Sequence, residues 1–212
     1  MSRAGVHNLY SIVGGRWWDP FRDVWVFLTS REAERDLDAL LRRYVTAESR
    51  VLDLGCGTGA NLRRLLRRRR QFASYTGIDF SADMLSMARR NLGHVPGVTF
   101  REGDATALDD TGERYDVIIA TWLLDHLRHP ADFVNSTARL LADGGHLLLL
   151  FYSEPNPLLG FWLSPLGRLT VRAYPVPRQE VERFAGVISK KTYSAGLATL
   201  VCIQRDGNGA ES

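Results

Sequence analysis

Apolar positions along this chain fall into short runs at strand spacing that alternate with stretches at helical spacing. The strand-like runs are Arg50 to Leu54, Tyr75 to Asp79, Val98 to Glu102, Tyr115 to Ala120 and His146 to Tyr152. Ahead of the first, Leu37, Leu40, Leu41 and Tyr44 form a helical stripe, and Thr29-Ser30-Arg31-Glu32 has capping-box spacing in front of it. A second helix is expected from Ala60 to Arg69. A third follows the N-cap Ser81, with Met84, Leu85 and Ala88 inward. His129-Pro130 sets up a fourth over Ala131 to Leu141, which Gly144-Gly145 should end. Pro177 to Phe184 reads as a short helix. The last two runs, Val187 to Tyr193 and Leu197 to Gln204, are joined by only Ser194-Ala195-Gly196. A parallel crossover needs far more chain, so these two strands must pair antiparallel. The pattern predicts an α/β fold with seven strands, mostly parallel, and a C-terminal antiparallel hairpin.

With 212 residues and 45% apolar composition, the chain is sized for one domain, expected over 1–206 with a disordered tail at 207–212. Two regions break the alternation. One is 1–48, whose aromatics Trp17, Trp18, Phe21, Trp25 and Phe27 precede the first helix. The other is 153–176, rich in Pro, Gly and aromatics. Either could cover an apolar ligand, pack on the core, or meet a second copy or a membrane surface. A formal charge of +3 is only mildly basic, but Arg63, Arg64 and Arg67 to Arg70 cluster on and behind one helix. They form a solvated face or a contact for anionic lipid headgroups or RNA. Cys56 and Cys202 alone make no disulfide framework or zinc spacing. No leader-like N-terminus and no bilayer-length apolar run is seen, so the cytoplasm is the expected compartment.

Candidate chemistry begins at Val51-Leu52-Asp53-Leu54-Gly55-Cys56-Gly57-Thr58-Gly59-Ala60-Asn61, where a strand breaks into alternating glycines and a helix begins. Glycine has no Cβ and accepts positive φ, so backbone here can approach a ligand closely. Gly55-x-Gly57-x-x-Ala60, with Asp79 placed for a ribose, also satisfies a dinucleotide fingerprint, so an NAD(P)-dependent oxidoreductase stays open on this loop alone. Asp53 ahead of the glycines suits a cationic ligand better than a pyrophosphate. Asp104, after the third strand, can accept from an adenine amine.

Taken with Gly77-Ile78-Asp79-Phe80-Ser81-Ala82-Asp83-Met84-Leu85, Gly103-Asp104-Ala105 and Tyr115-Asp116-Val117-Ile118, the chain resembles the class I S-adenosylmethionine-dependent methyltransferases. Within them it is nearest in flavour to those acting on quinones, phospholipids and small metabolites. The resemblance runs in order from about Arg31 to Arg205 and implies a Rossmann-like, doubly wound sheet with S-adenosyl-L-methionine as cofactor. It implies that Gly55, Gly57 and Gly59 wrap the methionine and ribose, and that Asp53 orients the loop and helps neutralise the ammonium. It further implies that Asp79 takes both ribose hydroxyls, that Phe80 lies on the adenine and that Asp104 holds the adenine amine. The Ala105 amide would face a ring nitrogen, and the Ala120 carbonyl the ammonium.

Acceptors in open α/β sheets meet the segments beyond the strands' carboxyl ends. After the fourth strand stands Thr121-Trp122-Leu123-Leu124-Asp125-His126. No Asn/Asp-Pro-Pro-aromatic sequence occurs there, which argues against nucleic-acid amino-methylation. His126 is the candidate general base, with Asp116 and Cys56 read as structural. Tyr10, Trp18, Trp122, Tyr152 and Trp162 are candidate acceptor-binding residues. The expected reaction moves a methyl group to a small, hydrophobic or amphipathic N, O or C nucleophile, without metal, in a monomer or homodimer with possible lipid-surface contact. A non-catalytic module that only holds the cofactor is the reading from a different class.

Overall fold

The computed structural model describes residues 30–108, 112–154 and 175–205. Helix α1 (Arg31–Tyr44) leads into β1 (Arg50–Leu54), α2 (Ala60–Arg67), β2 (Ser74–Asp79), α3 (Ala82–Leu92) and β3 (Val98–Glu102). Then come β4 (Tyr115–Thr121), α4 (Pro130–Ala138), β5 (Leu141–Tyr152), α5 (Arg178–Glu182), β6 (Val187–Tyr193) and β7 (Ala198–Gln204). The strands form one seven-stranded sheet in the order β3-β2-β1-β4-β5-β7-β6. β1 to β5 run parallel, and β7 pairs antiparallel with both β5 and β6.

Alternate strand residues feed the two faces. On one face Val51, Tyr75, Val117, Ile119 and Leu148 pack under α1, α2 and α3. On the other, Leu52, Ile78, Ile118, Leu147 and Leu149 pack with Val134 of α4 and Val181 and Phe184 at α5. A sheet covered on both sides explains why its central strands read as near-continuous apolar runs. The strand order reverses between β1 and β4, and loops leaving that point diverge to opposite faces, opening a crevice at the strands' carboxyl ends.

Several boundaries differ from the sequence reading. α4 stops at Ala138, and β5 begins at Leu141 rather than His146, because Leu140 O accepts from Tyr115 N (2.9 Å) and Leu141 pairs with Tyr115. Gly144-Gly145 therefore lies inside a bulged strand and does not terminate the helix. A Cβ on Gly145 would stand 3.0 Å from the Tyr115 carbonyl. The α1 N-cap is Ser30, so Thr29-x-x-Glu32 is not the capping box. β4 runs one residue further, to Thr121, and α2 ends at Arg67, with Arg69 left-handed at φ 52°. Ser81 caps α3 as expected, accepting from Met84 N at 3.4 Å.

The arginine cluster is largely consumed inside the fold. Arg63 donates to the Thr58 carbonyl (2.8 Å) and hydroxyl (3.1 Å). Arg64 pairs with Glu34 and with Asp38 (2.6 Å), and Arg68 with Asp38 (2.9 Å). Only Arg67, Arg69 and Arg70 carry the solvated-face reading forward. Of the regions expected to cover the acceptor, 1–48 and 153–176, residues 1–29 and 155–174 lie outside the described residues, as does the tail at 207–212.

Candidate cofactor and acceptor site

The glycine turn is pinned from two sides. Gly55 N and Cys56 N both donate to Ile78 O (2.8 and 3.0 Å), and Gly57 N donates to Asp79 Oδ2 at 2.8 Å. Gly57 has φ 52° and a Cβ added there would meet nothing within 4 Å, so its missing side chain faces open space. Gly59 has φ 86°, and a Cβ there would collide with Leu92 Cδ1 at 2.5 Å. Gly57 thus leaves room for a ligand, whereas Gly59 is required by packing. Cys56 is buried between this turn and β2, and burial pushes its thiol far above the ordinary range, which makes it inert packing.

Beneath the turn, Asp53 is fully buried. Asn61 Nδ2 donates to its Oδ1 at 3.0 Å and Tyr75 OH donates to Oδ2. Burial raises its pKa to about 7 against the lowering effect of those two bonds, with the Asp79 charge adding to the rise. Asn61 also donates to Thr121 Oγ1 (3.0 Å), so one amide ties β1 to the tip of β4.

At the end of β2, Asp79 Oδ1 accepts Ser81 N (2.9 Å) while Oδ2 accepts Gly57 N. Burial raises its pKa, opposed by the backbone N–H groups of Ser81, Gly57 and Phe80. A carboxylate has about four lone-pair positions, so acceptor capacity remains on both oxygens. Phe80 beside it is 41% exposed, an unusual position for a large apolar ring. After β3, Asp104 Oδ1 holds Thr106 through its N–H (2.9 Å) and hydroxyl (2.6 Å), with Ala105 packed at the core's edge. Ala120 is fully buried in β4 between Leu54 and Leu149.

On the acceptor side, Trp122 is left-handed at φ 57°, donates N–H to Leu150 O (2.7 Å) and places its indole Nε1 3.3 Å from Glu34 Oε1. A single 3-10 turn over Leu124–His126 follows. Asp125 is buried, with Oδ1 lacking a hydrogen-bond partner among the described residues and Oδ2 3.8 Å from His126 Nε2. Burial raises the Asp125 pKa, opposed by His126 and the backbone N–H groups of Asp125 and Tyr152. The half-buried Tyr152 phenol is raised by burial and then by the Asp125 charge. Tyr10, Trp18 and Trp162 lie outside the described residues. Asp116 accepts Arg50 N at 2.7 Å, at the opposite end of β4 from the crevice.

The Methyltransferase domain family model matches residues 51–145, the span holding the glycine turn, Asp79, Asp104 and the β4 tip. A ubiquinone biosynthesis O-methyltransferase from a Chelativorans species is 30% identical over 217 residues, covering 97% of this chain and 83% of that protein. The chain belongs to the class I S-adenosylmethionine-dependent methyltransferases. A demethylmenaquinone methyltransferase from Tropheryma whipplei is 35% identical over 136 residues, 63% of this chain. That match spans about half (52%) of the relative's own length. In fold, the chain superposes on the magnesium protoporphyrin IX methyltransferase of Synechocystis, solved with bound S-adenosylhomocysteine. The TM-score is 0.70 at 19% identity, over 97% of this chain and all of that one.

S-adenosylmethionine is this methyltransferase family's cofactor, and the described residues fit it. Open space lies at Gly57, a buried carboxylate ends β2 and an exposed ring stands beside it. Membership sets aside the NAD(P)-dependent oxidoreductase reading. Four residues of the arrangement escaped the sequence analysis as site residues: Glu34, Asn61, Tyr75 and Asp125. Asn61 carried a readable signal, a lone amide on the apolar face of a Leu/Arg helix.

Proposed function

We propose that this protein moves the methyl group of S-adenosylmethionine to a small, apolar or amphipathic acceptor by in-line displacement. The observation that carries the reading is the bond from Gly57 N to Asp79 Oδ2, which fixes the open glycine turn against a buried carboxylate and the exposed Phe80. The sulfonium supplies an already electrophilic methyl carbon, whose bond to sulfur breaks as the bond to the nucleophile forms.

The chain's own residues bind and orient. Asp79 offers its remaining lone pairs to the ribose hydroxyls, Phe80 lies against the adenine, and Asp104 with the Ala105 amide reads the adenine edge. Gly57 admits the methionine portion, with Gly55 and Gly59 shaping the turn around it, and the Ala120 carbonyl would meet its ammonium. Asp53, buried beneath, acts through the turn rather than by direct contact. On the acceptor side, Trp122 and Tyr152 form walls. His126 takes the proton when the nucleophile is a hydroxyl, whereas a neutral amine needs only desolvation and aim. A quinone-like acceptor is consistent with what these relatives are named for. Among the described residues no helix is long and apolar enough to cross a membrane, so a lipid acceptor would be met at a surface.

Calorimetry with S-adenosylmethionine and with NADH, followed by labelled-methyl transfer into demethylmenaquinone and into a lipid and metabolite extract, tests this. Cofactor binding with a labelled product identified by mass supports it. Binding with no labelled product favours the non-catalytic module, and NADH binding without a response to S-adenosylmethionine overturns both.

A further inference from the structure

Trp122 holds a left-handed conformation, at φ 57°, that is sterically unfavourable for a bulky L-residue. Such strain persists only where neighbours over-determine it, and it concentrates at functional sites. Here the neighbours can be named. The Trp122 N–H is fixed to Leu150 O, Thr121 before it is held by Asn61, and Leu123 after it packs where a Gly55 Cβ would come within 3.2 Å. The indole is fixed by one further group, the Glu34 carboxylate on α1, 88 residues earlier in the chain.

Glu34 is itself immobilised. Its Oε1 accepts the indole N–H while Oε2 pairs with the Arg64 guanidinium. Arg64 also binds the Glu34 backbone carbonyl (3.1 Å) and Asp38 Oδ1 (2.6 Å). These side chains are all nearly buried, and Arg68 closes the cluster on Asp38. Buried ion clusters are poor sources of stability, because desolvation consumes most of the Coulombic gain. What this one supplies is a fixed position for a single indole N–H.

We infer that Glu34 is a positioning residue for methyl transfer: clamped by Arg64, it holds the Trp122 indole as a wall of the acceptor site. The inference rests on the proposed transfer reading for its effect on turnover, and on the Trp122–Glu34–Arg64 geometry alone for its effect on the indole. The left-handed turn at Trp122 also launches the Leu124–His126 turn, so releasing the indole loosens His126 as well.

The test uses ¹⁵N-indole NMR of the full chain, with the Trp122 signal among the five tryptophans assigned by its loss in Trp122→Phe. Glu34→Ala is expected to move that signal and speed its solvent exchange about tenfold, the weight of one hydrogen bond to a charged acceptor. Glu34→Gln, whose side-chain carbonyl still accepts the N–H, should keep it near the parental position. With demethylmenaquinone and the extract as acceptors, Glu34→Ala and Trp122→Phe should each slow transfer about tenfold at saturating cofactor. The double variant should be no slower than the slower single one. S-adenosylhomocysteine affinity should stay near the parental value. A purely structural Glu34 would lower Tm while leaving the indole signal and the turnover of folded protein unchanged, and that result overturns the inference. So does a fall in S-adenosylhomocysteine affinity that matches the fall in turnover. If the parent binds S-adenosylhomocysteine yet labels nothing, the transfer reading fails, and with it the claim on turnover. The indole signal then still decides whether Glu34 sets Trp122.

Discussion

Asp79 Oδ2 accepts the Gly57 N–H at 2.8 Å, so the end of β2 is bonded to the middle of the turn that leaves β1. One carboxylate therefore serves two strands' ends at once, through Gly57 on one oxygen and Ser81 on the other. Asp79→Ala should weaken S-adenosylhomocysteine binding by about 100-fold, the scale of losing two hydrogen bonds to a charged group. Circular dichroism should show the fold retained. Parental affinity by calorimetry would remove Asp79 from the ribose site.

Gly57 and Gly59 separate room for a ligand from room for the core. Gly57→Ala meets no protein atom but must hold φ 52°, so it should cost about 1 kcal/mol, a fall in Tm of roughly 2–4 °C. Its new methyl would enter the open side of the turn, so cofactor affinity should drop more than stability does. Gly59→Ala should show the reverse emphasis, since its methyl strikes Leu92. Paired thermal melts and calorimetry distinguish the two, and identical profiles would contradict the assignment.

Asp53 gives the protein a pH signature. Its pKa is about 7 in the folded chain, well above the ordinary carboxylate value of about 4, so the folded state holds the proton more tightly than the unfolded state. Its stabilising contribution is full below about pH 4 and is lost as pH rises to about 7, by at most about 1.4 kcal/mol per pH unit. Asp53→Asn should flatten that part of the stability-versus-pH curve, measured by urea unfolding at fixed ionic strength. An unchanged slope would mean the carboxylate is already ionised beneath the turn.

His126→Ala discriminates between acceptor chemistries. With a hydroxyl acceptor, loss of the base should cost about 10²-fold or more in kcat. With an amine acceptor, turnover should change little. Initial rates with the labelled donor, across pH, read the difference directly.

The parallel strands were legible because each is a local apolar run bounded by turn residues. The hairpin was legible because three linking residues admit no other pairing. The α4–β5 junction was not, since Leu140, Leu141 and Ala142 continue a helical period. Only the distant partner Tyr115 draws them into a strand. The same distinction holds at the site. Gly57, Asp79 and Phe80 sit in compact motifs whose residue types reveal their use. Asn61 bridging Asp53 and Thr121, and Glu34 reaching Trp122, depend on contacts made only after the sheet has formed. The arginine-rich stretch shows the converse: its charges read as a solvated face or an external contact, and for Arg64 and Arg68 Glu34 and Asp38 supply an internal partner instead.

The position of β7 between β5 and β6 has a consequence for how the chain comes to be folded. During synthesis β6 emerges before the strand that joins it to the sheet, and β5 waits with one edge bare. Six of the seven residues of β7 are buried, so a strand made after both its neighbours is also one of the most deeply enclosed. Loop-closure entropy must be met across that interval before the pairing returns it. Nascent chains halted before Ala198 should therefore expose an open β5 edge to chaperones or to one another, and the assembled crevice should appear only once β7 has zipped the two halves together.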